Sequence, residues 1–148
     1  MFSATKIVLI VDREDDVLEL LKAKSESIDY VALEAKTGDE ALGVLSRLTS
    51  YIDLTIIDLD LSLDDGVLMR LLAIFASRTP TTKVIVKTSR HDTPFLEQVT
   101  YLGVDAYVLR PLSEEVLIET VRATLSDSGT FQPEYYVELR PSPERRFR

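Results

Sequence analysis

Five short apolar runs divide the chain, and each stops at a polar or charged residue. Residues 6–11 are mostly β-branched and stop at Asp12. Residues 30–35 form a second run. Leu54 to Ile57 form a third, which stops at Asp58. Residues 83–88 end in the hydroxyl of Thr88, and residues 105–109 end before Arg110-Pro111. Runs of this length bounded by polar residues predict buried strands. The first is apolar on both faces, as in a central parallel strand.

Between the runs the apolar spacing changes to that of helices. Val17, Leu20 and Leu21 follow the acidic stretch Asp12-Arg13-Glu14-Asp15-Asp16. Acidic residues at a helix start suit the macrodipole, and Asp15 and Asp16 are read in that sense only. Thr37-Gly38-Asp39-Glu40 is a capping box, followed by Ala41, Leu42, Leu45 and Leu48. A third helix spans 67–76, with Leu68, Leu71, Leu72 and Phe75 on its stripe. Asp92-Thr93-Pro94 caps a fourth, carrying Phe95, Leu96, Val99 and Leu102 and stopped by Gly103. Ser113 caps the last, with Val116, Leu117, Val121 and Leu125.

Strands alternating with helices through short links predict an α/β fold. The expected form is a flavodoxin-like, doubly wound, five-stranded parallel sheet in the order 2-1-3-4-5, with helices on both faces. That order puts a switch point between the first and third strands, where Asp12 and Asp58 would meet. Ligands bind at such crevices, outside the carboxyl ends of the strands. Asp60, Asp64 and Asp65 follow close behind Asp58.

Composition narrows the function. At 148 residues one domain is expected, here residues 1–126, with residues 127–148 as a C-terminal extension. The extension holds an extended segment, Tyr135 to Leu139, and a basic end, Arg145-Arg146-Phe147-Arg148. The net charge of −8 argues against direct nucleic-acid binding, which needs a basic face. With no cysteine, disulfides and thiolate metal sites are excluded. No run reaches membrane length, so the expected location is the cytoplasm, without a membrane partner.

On these residues the chain resembles the receiver domains of bacterial two-component response regulators, the CheY-like superfamily, over about Thr5 to Leu125. Asp12 ends the first strand, where the family has an acidic pair. Asp58 stands at the phospho-accepting Asp, with Asp65-Gly66 at the usual offset. Thr88 stands at the family's Ser or Thr, Tyr107 at its switch aromatic and Pro111 at its proline. The resemblance implies phosphoryl transfer from a histidine kinase to Asp58. Mg²⁺ would be held by Asp58, an acidic residue after the first strand and the backbone carbonyl of Asp60. Thr88 and the residue at 110 would contact the phosphoryl group, and Tyr107 would turn inward. The implied role is a signalling module, at most phospho-accepting, and not an enzyme in its own right. The face built from the fourth helix, fifth strand and fifth helix would serve for dimerisation.

Three positions depart from that pattern. The family's second acidic residue is Arg13, its lysine before the proline is Arg110, and a loop proline is Ser62. Arg13 matters most. A millimolar metal site is worth about 4 kcal/mol. A unit charge at ~4 Å has a gross interaction of about 4 kcal/mol at an effective dielectric of ~20. Arg13 is therefore expected to weaken or abolish Mg²⁺ binding. Arg13 and Arg110 would pair with Asp12, Asp58 and Asp60, holding the domain in one state. Against this stands a working switch in which Glu14 or Asp60 replaces the missing ligand.

Other readings stay open at this point. Asp58-Leu59-Asp60 resembles the DxD of haloacid-dehalogenase-like phosphatases, but no acidic pair follows a later strand. The helix at 67–76, whose one polar side chain is Arg70, would suit a partner surface through Met69, Ile74 and Ala76. His91 reads as a surface residue. The reading taken forward is an atypical receiver that acts by contact with a histidine kinase or other signalling protein.

Overall fold

A computed structural model describes residues 5–23, 29–59, 82–89, 104–126 and 137–138. The expected helices at 67–76 and 94–102 lie outside them. So do Asp60, Ser62, Asp64, Asp65, Gly66 and His91.

The strands are β1 (Lys6–Val11), β2 (Tyr30–Ala35), β3 (Leu54–Asp58), β4 (Lys83–Thr88), β5 (Ala106–Leu109) and β6 (Val137–Glu138). The described helices are α1 (Asp16–Ala23), α2 (Gly38–Leu48) and α3 (Glu114–Leu125), with a 3-10 turn at Thr49–Tyr51. The first five strands are parallel in the order β2-β1-β3-β4-β5, as the alternating pattern predicts. The structure adds a sixth strand. Residues 137–138 of the extension pair antiparallel with β5, Val137 opposite Tyr107 and Glu138 opposite Ala106. An edge strand presents unpaired backbone groups, and an extended segment of the same chain meets that need here.

Side-chain alternation along the strands sorts the core into two layers. Val8, Ile10, Leu54, Ile56 and Ile85 pack with Val17 and Leu21 of α1 and Leu117 and Val121 of α3. Leu9, Val11, Ile57, Val84, Val86 and Tyr107 pack with Ala41 and Leu45 of α2. Every residue of β3 is buried, which is why its sequence shows a continuous apolar run.

Caps fix where the elements begin. The Glu40 amide donates to Thr37 Oγ1 at 3.1 Å. The Glu40 carboxylate accepts the Lys36 amide at 2.7 Å, one residue earlier than a standard box. Ser113 Oγ accepts the Val116 amide at 3.3 Å and starts α3. Two aspartates do similar work for the sheet. Asp53 accepts the amide of Ile7, and Asp105 accepts the amide of Val84, each at 2.8 Å. Asp105 thus lies just before β5 instead of within it.

Candidate functional site

The carboxyl ends of β1, β3 and β4 lie side by side. Val11 is level with Ile57 across β1 and β3, so Asp12 follows beside Asp58. Asp58 is level with Lys87 across β3 and β4. In parallel strands such partners project from the same face. Three charged side chains therefore converge, and all three are buried: Asp12 is 2% exposed, Asp58 3% and Lys87 0%.

Lys87 is the centre of the cluster. Its ammonium donates to Asp12 Oδ2 at 2.6 Å and to Asp16 Oδ1, at the start of α1, at 3.0 Å. Asp58 Oδ2 lies 3.7 Å away. An isolated buried ammonium would be strongly disfavoured, and these carboxylates are what make its burial tolerable. Burial by itself lowers the Lys87 pKa. The hydrogen bonds to Asp12 and Asp16, with the attraction of the Asp58 and Asp12 charges, outweigh burial and leave it raised. Lys87 is therefore a fixed positive charge at neutral pH.

Arg110 supplies the second cation. It follows β5 directly, and its amide donates to the Thr88 carbonyl at 3.0 Å. Its guanidinium donates to Asp58 Oδ2 at 2.8 Å and to Glu14 Oε1 at 3.3 Å. Asp12 is also fixed from its other oxygen, where Oδ1 accepts the Glu14 amide at 2.8 Å. Thr88 is fully buried at the end of β4. Tyr107 is buried in the α2-side layer, and burial raises the pKa of its phenol.

The structure brings Asp12, Asp58, Glu14 and Arg110 together, as the sequence reading expected. It does not bring Arg13. That side chain is exposed and makes no ion pair among the described residues. The charge expected from Arg13 comes from Lys87 instead, because Arg13 lies beyond the end of β1 while Lys87 is level with Asp58. Asp16 is likewise more than a helix-start residue, since it holds the Lys87 ammonium. Asp15 instead pairs with Lys36 on the surface. Sequence reasoning missed Lys87, although a signal was present: a lysine inside a β-branched central strand, one residue before its end at Thr88, must find buried partners.

Of the expected donor set, Asp12 and Asp58 are engaged by cations, and Asp60 lies outside the described residues. Mg²⁺ needs carboxylate oxygens at about 2.1 Å in near-octahedral geometry. The ammonium stands against one Asp12 oxygen and near Asp58, the two carboxylates that would hold that ion. Among the described residues, no three acidic or histidine side chains form a metal-holding group.

The comparisons with known proteins agree with this architecture. The profile of the response regulator receiver domain family matches residues 8–122. The transcriptional regulatory protein GlrR of Escherichia coli is 30% identical over 131 residues, covering 88% of this chain and 29% of that protein. The transcriptional regulatory protein ResD of Bacillus subtilis is 29% identical over 118 residues, covering 80% of this chain and 47% of that protein. The chain thus spans less than half the length of these relatives. Among solved structures, a response regulator from Thermotoga maritima superposes with a TM-score of 0.69 at 25% identity, covering 84% of this chain and all of that one. The chemotaxis response regulator CheY4 of Vibrio cholerae gives 0.64 at 18% identity, covering 82% and 99%, a likeness of fold alone. Receiver domains are signalling domains, not enzymes; they interact with histidine kinases and typically bind Mg²⁺ at their acidic phosphorylation site. With the family profile spanning most of the sequence and the sheet order to match, the chain belongs to the response regulator receiver domain family of two-component systems.

Proposed function

We propose that this receiver acts through protein–protein contacts and that Mg²⁺-dependent phosphorylation at Asp58 is impaired. One observation carries the reading. The buried carboxylates of Asp12 and Asp58 are already neutralised by Lys87 and Arg110, the positive charge that a divalent metal would otherwise supply. The buried position of Tyr107 supports a domain held in one state. The partner is a histidine kinase or another signalling protein. A homodimer through the face of the fourth expected helix, β5 and α3, with β6 on the β5 edge forming part of that face, fits the same role. Although two relatives are named transcriptional regulators, the charge of −8 leads us to assign this chain no direct nucleic-acid contact. No helix among the described residues is long and apolar enough to cross a membrane, and we place the protein in the cytoplasm. We read residues 1–126 as the receiver and 127–148 as an extension.

A second reading is a working switch. It is favoured by Arg110, which reaches Asp58 from the position of the family's lysine, and by Thr88 at the end of β4. Intact mass after incubation with acetyl phosphate and Mg²⁺ separates the two. The proposal expects no phosphoryl adduct on the parent protein and none on Arg13→Asp. An adduct on the parent that disappears in Asp58→Asn would establish the switch and overturn the proposal.

A further inference from the structure

We infer that Lys87 is a built-in cation standing in for the divalent ion, so that the acidic site is a latent metal site closed by one side chain. The inference deepens the proposed function and rests on that reading of the site. Three observations carry it. The ammonium is completely buried, so it is part of the site and not a surface group swung inward. It contacts Asp12 at 2.6 Å and lies 3.7 Å from Asp58, between carboxylates from two adjacent strands. The contact with Asp16 at 3.0 Å ties the same ammonium to the first residue of α1, which gives all three of its hydrogens acidic neighbours. A divalent ion would have to displace this ammonium or share the pocket with it. Neither is favourable, since the Lys87 stem is packed within the sheet and both groups are positive. Arg13, exposed and outside the cluster, is not the obstacle.

Removing the Lys87 charge while keeping an apolar stem should therefore open the site. The test is titration calorimetry with Mg²⁺ and Mn²⁺ on the parent, Lys87→Met, Arg13→Asp and the double variant Lys87→Met/Asp58→Asn. The inference expects Lys87→Met to bind at least about tenfold more tightly than the parent. Its melting temperature should rise with added Mg²⁺, and both gains should vanish in the double variant. Arg13→Asp should bind like the parent. Equal binding by Lys87→Met and the parent would overturn the inference, as would a gain in Arg13→Asp alone. Should Lys87→Met fail to fold without metal, Mg²⁺-dependent folding becomes the expected result. The side-chain amine resonance of Lys87 in the parent gives an independent reading by NMR. It should stay protected from water exchange and unshifted as Mg²⁺ is added; a shift or loss of protection would contradict the inference. A phosphoryl adduct on the parent defeats the proposed function, whereas unchanged metal binding in Lys87→Met defeats only the inference.

Discussion

Lys87 sits buried among Asp12, Asp16 and Asp58, and its energetics follow from burial. Truncating one member of a buried ion cluster leaves the others uncompensated, which costs about 3–5 kcal/mol. Lys87→Met in metal-free buffer should show a loss of that size in urea unfolding, because Asp12 and Asp58 stay buried. The pH dependence has a definite sign. The folded pKa of Lys87 is raised, so its contribution is fully present below the unfolded lysine value of about 10.4. It is lost as pH rises through the folded value. The difference in stability between the parent and Lys87→Met should hold steady across neutral pH and shrink only in strongly alkaline solution. A difference that shrank near neutrality would mean that the ammonium is not held as the geometry shows.

Several element boundaries are set by short-range signals. Thr37 and Ser113 each satisfy an amide at a helix start, and replacing either by alanine should cost about 1 kcal/mol. Thermal or urea unfolding of Thr37→Ala and Ser113→Ala checks both. Such signals were legible because a cap and its helix lie within a few residues of each other. The start of β5 was not, since Asp105 serves β4 by accepting the Val84 amide from the neighbouring strand. Lys87 was missed for a related reason. Its role depends on the β3–β4 register that sets it level with Asp58, and no local pattern contains that register. Arg13 stands at the family's second acidic position, yet its side chain is exposed beyond the end of β1, a placement that the resemblance alone does not reveal.

At the scale of the whole molecule the fold was readable because strands and helices alternate with short links, which leaves few ways to wind the sheet. Asp58 and Asp12 were readable because they terminate the two strands flanking the switch point. The sixth strand was not, because a two-residue pairing leaves almost no trace in hydrophobic pattern. That pairing is small, so a chain ending at Ser126 should still unfold cooperatively. The loss should be no more than about 2 kcal/mol, the scale of a few backbone hydrogen bonds. Loss of the cooperative transition would mean that the extension belongs to the domain. The central claim is that side-chain cations complete the acidic site. A crystal structure of the parent protein grown in a large excess of MgCl₂ tests it most directly. The account predicts the Lys87 ammonium between Asp12, Asp16 and Asp58, with Arg110 on Asp58. A Mg²⁺ ion coordinated by Asp12 and Asp58, with Lys87 displaced, would contradict it.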